Sequence, residues 1–193
     1  MNLNLPITQG STFIQTVFWE VSPIVYKPIT AITKTGPVRI TATGHGVVSG
    51  QRAACVGILG ATQLNAVNVP FKSSDYHVCT FVTADIVEFN DVPGASVSTY
   101  KSGGYLAYNT LKSLSGYTAR MTMRNRVGGT SLLELTSPTS LIITTSVQIL
   151  MTATQTAALS VGSGVYDLEL VALDTTVTQL LTGKFTVAAE VTT

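Results

Sequence analysis

The chain has 193 residues, 45% of them hydrophobic and only 11% charged, with a formal net charge of +1 and a mean hydropathy of +0.37. This length can bury one large or two small cores, while the charge is about half the ~25% usual in a soluble domain. The 11 Lys and Arg residues are scattered, which argues against nucleic acid because no basic stripe can neutralise a row of phosphates.

No apolar run approaches the ~20 residues of a membrane helix. The opening Met1-Asn2-Leu3-Asn4-Leu5-Pro6 lacks the basic region and long apolar run of a secretion signal. Cys55 and Cys79 offer no disulfide framework and fit a reducing compartment. The expectation is synthesis and retention in a cytoplasm. A surface this poor in charge is weakly protected against association. Much of it is therefore expected to face other subunits, unless Ser and Thr alone keep it polar.

In chain order, β-type alternation marks residues 12–21, 38–43, 51–58, 76–82, 86–89, 117–124, 141–144, 147–152, 166–173 and 177–187. Val, Ile, Thr, Tyr and Phe dominate these runs, the side chains that suit a pleated, half-buried surface. Turn residues separate them: Gly36-Pro37, Pro93-Gly94, Gly103-Gly104, Gly128-Gly129 and Ser163-Gly164. One helical turn is expected over 153–159, with Thr154 as its cap. Residues 29–108 carry a pattern of their own, and the strand ending at Val21 finds its continuation at Leu114-Ser115-Gly116-Tyr117. This predicts one domain inserted into a surface loop of another, where closure entropy grows only slowly with insert length.

The residues able to carry chemistry are few. His45 between Gly44 and Gly46 could serve as a base or metal ligand. Alternatively, the glycines permit a tight turn and the imidazole satisfies turn amides or carbonyls. Cys55, His77 and Cys79, with His45, could supply four zinc ligands, but a closed site usually includes a close cysteine pair and none exists here. A thiol nucleophile needs an oriented Cys–His pair with a third group, and no motif marks one. Gly44-His45-Gly46-Val47-Val48-Ser49-Gly50 spaces its last glycine one residue too far for a dinucleotide loop, and no helix follows. Asp167 and Glu169 share one strand face and could pair with Arg120 or Arg124 rather than act as a glycosidase dyad. No catalytic residue, cofactor or metal is expected. Trp19 and Tyr117 read as core anchors. Phe18, Trp19 and Tyr76 are the candidate interface residues, because large aromatics concentrate at interfaces.

Two resemblances cover nearly the whole chain. The inserted stretch resembles the first-catalytic-cysteine-half module, a small β-barrel defined in ubiquitin-activating enzymes and common in phage tail and virion proteins. The residues that carry it are Ile29-Thr30-Ala31-Ile32-Thr33, Val38-Arg39-Ile40-Thr41-Ala42-Thr43-Gly44-His45-Gly46-Val47, Gly50-Gln51-Arg52-Ala53, residues 56–65, Tyr76-His77-Val78 and Thr83-Ala84-Asp85. The flanks resemble small phage proteins with an immunoglobulin-like sandwich, through Leu5-Pro6-Ile7-Thr8-Gln9-Gly10, Phe18-Trp19-Glu20, residues 114–121, residues 165–170 and residues 180–187. In the namesake enzymes the ubiquitin chemistry lies outside the module, so no activity transfers.

The expected fold is all-β: an immunoglobulin-like β-sandwich from residues 1–28 and 109–193, with a small β-barrel domain inserted at 29–108. The resemblance implies a non-enzymatic structural component of a tailed bacteriophage virion, made in the host cytoplasm. It would assemble in multiple copies, as a homo-oligomeric ring at the head–tail neck, collar or tail, against other virion structural proteins and without nucleic acid or membrane. The alternative is an adhesion or carbohydrate-binding module of a tail fibre or capsid surface, for which the stretch 72–77 with Tyr76 is the aromatic candidate.

Overall fold

The computed structural model describes residues 2–191, and the protein is all-β. Among the described residues, fifteen strands and one five-residue α-helix divide between two compact units, Met1–Trp19 with Lys112–Thr193, and Glu20–Leu111.

The first unit is a two-sheet sandwich. Its larger sheet contains β1 (Leu5–Thr8), β15 (Val177–Ala188), β14 (Gly162–Val171), β10 (Thr118–Arg124) and β11 (Ser131–Thr136), in that order across the sheet. The smaller sheet orders β12 (Leu141–Ile143), β13 (Val147–Met151) and β2 (Phe13–Val17). β1 runs parallel to β15 and places Leu5 opposite Phe185 and Ile7 opposite Val187; the other pairs are antiparallel. Alternation decides which face is buried. Ala119, Met121 and Met123 of β10, Tyr166, Leu168 and Leu170 of β14, and Val147, Ile149 and Met151 of β13 all point into one core. Each of the buried Met, Leu, Ile and Val side chains contributes about 1.5–3 kcal/mol by leaving water. The helix α1 (Ala153–Ala157) is capped by Thr152 rather than Thr154. The Thr152 hydroxyl accepts from the Gln155 amide, and the Gln155 side chain returns a bond to the Thr152 amide. Thr156, buried in this short helix, donates to the Ser11 carbonyl at 2.8 Å.

The second unit is a seven-stranded sheet in the order β3 (Glu20–Pro28), β9 (Tyr105–Leu111), β6 (Arg52–Val56), β7 (His77–Thr83), β8 (Ile86–Phe89), β5 (Val38–Thr41), β4 (Ala31–Thr33). Val38 and Ile40, Val87 and Phe89, Cys79, Ala53 and Cys55, and Leu106 and Tyr108 all enter a single core. Inward side chains from five of its strands therefore share one buried cluster.

The run 12–21 is two strands rather than one. β2 ends at Val17, and β3 begins at Glu20 in the other unit, where it pairs with β9 from Glu20↔Leu111 to Pro28↔Tyr105. The second unit is therefore bounded at 20 and 111 rather than at 29 and 108. No described helix is long and apolar enough to cross a membrane.

Candidate functional site

His45 sits in a turn. Gly44 and Gly46 adopt φ of +56° and +70°, the left-handed region that glycine enters without a Cβ penalty. The buried imidazole accepts at Nδ1 from the Val47 amide at 2.9 Å and lies with Nε2 3.0 Å from the Thr83 carbonyl oxygen. Those partners assign the Nε2–H tautomer. Both ring nitrogens are occupied by backbone, which leaves none for a metal or a substrate.

His77 turns to Asp91, with Nδ1 2.9 Å from the carboxylate, and stacks on Phe89 with ring centroids 4.6 Å apart. Cys79, two residues along β7, is buried, and burial pushes its thiol up to about 12; burial also drives Cys55 far upward. Among the described residues, no group of three or more His, Cys, Asp or Glu side chains converges as metal ligands would. Glu169 pairs across the ladder with Arg120, Oε2 to Nε 2.7 Å. Asp167 lies in a shallow groove with Thr122, Arg124 and Thr182.

The three aromatic candidates fall in different places. Trp19 packs against the sandwich core, meets Tyr117 edge-to-face at 5.9 Å, and has the Lys112 ammonium 6.0 Å from its ring centroid. Phe18, beside it in sequence, is half-buried. Tyr76 belongs to a cluster on the second unit.

That cluster follows from register. On the sheet face away from the core, Ala107 of β9 lies between Tyr26 of β3 and Ala54 of β6. The next outward row holds Pro28, Tyr105 and Val56. Ala54 and Ala107 are fully buried yet belong to the outward rows, so something covers them. The segment 66–76 lies against this side of the sheet. Phe71 lies 6.5 Å from Tyr26 and 5.9 Å from Tyr76, and Tyr26 meets Tyr105 at 6.3 Å. Asp75 shapes the segment by accepting from the Lys72 amide at 2.7 Å, the Asn68 side chain at 3.0 Å and the Val67 amide at 3.1 Å. These bonds, led by that from Lys72, hold its carboxyl below the usual range. Arg52 stands 5.7 Å from the Tyr76 ring centroid and pairs with Glu20 at 2.7 Å. Beside the cluster, Ile24, Tyr26, Val56, Val69, Pro70 and Phe71 line a cleft of about 310 Å³. Tyr26 and Tyr105 remain 50% and 47% exposed. Half-exposed tyrosine rings next to an apolar cleft can stack on a flat apolar face and offer hydroxyls to its polar rim.

The other distinctive surface lies on the first unit. Residues 1–19 and 135–166 contain no Asp, Glu, Lys or Arg. The three-stranded sheet and α1 are built wholly from these two runs, so every charged side chain of this unit lies elsewhere. On the sheet's outer face Ile14, 57% exposed, stands opposite Leu150, and Ile142 stands next to Gln148, which faces Thr16. Neither the cleft nor this face was identified from sequence. The charge-free runs were the available signal for the second.

Neither a protein-family model nor a curated protein matches the sequence.

Proposed function

We propose that the protein is a non-enzymatic structural component of a tailed bacteriophage virion. It assembles in multiple copies at the head–tail neck, collar or tail, with an immunoglobulin-like sandwich carrying an inserted barrel-like module. The observation that carries the assembly reading is the uncharged three-stranded sheet with Ile14, Leu150 and Ile142 on its outer face. Surfaces depleted of charge and rich in apolar side chains characterise the cores of lasting interfaces. The virion setting is supported by the sequence resemblances quoted for both parts of the chain. In this reading the action is geometric: each copy presents apolar area and strand edges to its neighbours.

Particles decorated with antibody against this protein and viewed by negative stain test the setting, with label expected at the neck or tail. Apolar contacts are insensitive to screening, so the protein is expected to stay with particles through washes at roughly molar salt. Release at modest salt as a dispersed monomer would overturn a structural role.

A second reading, glycan adhesion, draws on the cleft lined by Tyr26 and Phe71, with Tyr105 meeting Tyr26. A glycan array probed with wild type and Tyr26→Ala separates the readings, since only an adhesin gives signal that this substitution removes.

A further inference from the structure

Six strands stand at the outer ends of the three sheets, and five carry a feature that discourages a neighbour. β1 contains Pro6, β11 contains Glu134, and β3 contains Pro23, Pro28 and a register shift between Val21 and Ile24. β4 and β12 are three residues long. Prolines, charges, bulges and shortness are the devices by which natural sheets protect their edges.

β2 has none of them. It reads Phe13-Ile14-Gln15-Thr16-Val17, pairs with β13 over all five residues without a bulge, and alternates strong β-formers. Among the described residues, the only other hydrogen bond to its backbone comes from the Gln15 side-chain amide, which donates to the Thr16 carbonyl at 2.9 Å. An edge strand presents a row of amide and carbonyl groups that only another strand can satisfy in full.

We propose that a second copy of this chain fills the edge, β2 pairing antiparallel with β2 of its partner about a two-fold axis at Gln15. Ile14 then faces Thr16 of the other copy, and the two three-stranded sheets merge into one. Charge points to a copy rather than to a foreign strand. A two-fold contact places each patch on itself, where any net charge would be doubled. Residues 1–19 and 135–166 hold none. The exposed Ile14 and Ile142, with Leu150, extend the same uncharged face beside the seam.

The pairing names a partner for the charge-free sheet and in that respect rests on the assembly reading, but it is tested on the purified full chain. Gln15→Cys puts two thiols across the axis, while the native Cys55 and Cys79 are buried. Under mild oxidation it is expected to form disulfide dimer at least about tenfold faster than Leu173→Cys, a control 87% exposed on the turn after β14. In sedimentation equilibrium the wild type is expected to dimerise, and Thr16→Lys to raise the dimer Kd by at least about tenfold with an unchanged β-type circular dichroism spectrum. A wild type monomeric at every concentration, or Gln15→Cys no faster than the control, would overturn the pairing. Disulfide capture by Gln15→Cys of a different protein in particles would also overturn it, while leaving the virion reading intact. A dimer in solution from a protein absent from purified particles would do the reverse.

Discussion

The His45 imidazole bridges its own turn to Thr83, 38 residues along the chain, with Nε2 3.0 Å from the Thr83 carbonyl oxygen and Nδ1 receiving the Val47 amide. The Tyr108 hydroxyl donates to the His45 carbonyl, so the turn is fixed to β9 as well. His45→Ala strips two backbone groups of their partners, one of them the buried Val47 amide. It is expected to lower stability by about 2 kcal/mol in urea unfolding. Metal content by elemental analysis is expected to be unchanged. Zinc bound stoichiometrically by wild type and lost in this variant would reverse the assignment.

The carboxylate of Asp75 holds the 66–76 segment that brings Phe71 to Tyr26 and Tyr76. Its folded pKa lies below the ordinary 3.8, chiefly through the Lys72 amide. A lowered folded value means that the ionised form favours the native state. The stabilisation is therefore complete above pH 3.8 and is lost as pH falls through the folded value. Amide exchange at Val67 and Lys72 is expected to rise relative to core strands on acidification below pH 4 or so. Asp75→Asn should show faster exchange already at neutral pH and a flatter acid dependence. An unchanged exchange rate in that variant would remove Asp75 as the pin.

How much of this was legible in the sequence depended on whether neighbours along the chain or across the sheet set the outcome. β14 alternates around Leu168 and β15 does so from Leu181 through Phe185, after two consecutive buried leucines, and the runs 166–173 and 177–187 follow that alternation. The pairing of Glu169 with Arg120 was one of the two options open from sequence. β3 escaped because Pro23 and Pro28 break its pattern, and they are tolerated only because the strand lies at a sheet end. β1 escaped because four residues with a proline carry almost no periodic signal. The helix cap moved from Thr154 to Thr152 because Gln155, three residues after Thr152, completes a reciprocal capping box. Tyr76, half-buried in the structure, could be picked out as an aromatic candidate. Tyr26, Phe71 and Tyr105 could not be joined to it, since only the β3–β9–β6 register and the fold of 66–76 bring them together.

Both cysteines are buried, and burial sets Cys79 at about 12. At pH 8 only about one thiol in 10⁴ would then be thiolate, the reactive form. Ellman's reagent is expected to leave native protein unlabelled over the time in which it labels both thiols in denaturant. Rapid labelling of a native thiol would place that cysteine in an open, activated setting and reopen a nucleophile role.

The chain leaves the sandwich at Trp19 and re-enters it at Lys112, where the Lys112 amide donates to the Trp19 carbonyl at 2.9 Å. The two ends are thus adjacent, and a linker of a few Gly and Ser residues can replace 20–111 without strain. Closing the gap costs little, because the entropic cost of a flexible connection varies only slowly with its length. Among the described residues, the buried sandwich core from Leu5 to Val187 draws no side chain from the removed stretch. The insert is likewise paired at its ends, Glu20 opposite Leu111, and holds its own core around Phe89 and Leu106. The deletion product is therefore expected to keep a β-type spectrum and a single cooperative thermal transition, and residues 20–111 alone are expected to do the same. Tyr117 and Trp19 supply an internal check: their edge-to-face contact should leave the tryptophan emission of the deletion product close to that of the full chain. If the deletion product lacks a cooperative transition, the sandwich depends on the insert for its stability and the two units are one folding entity.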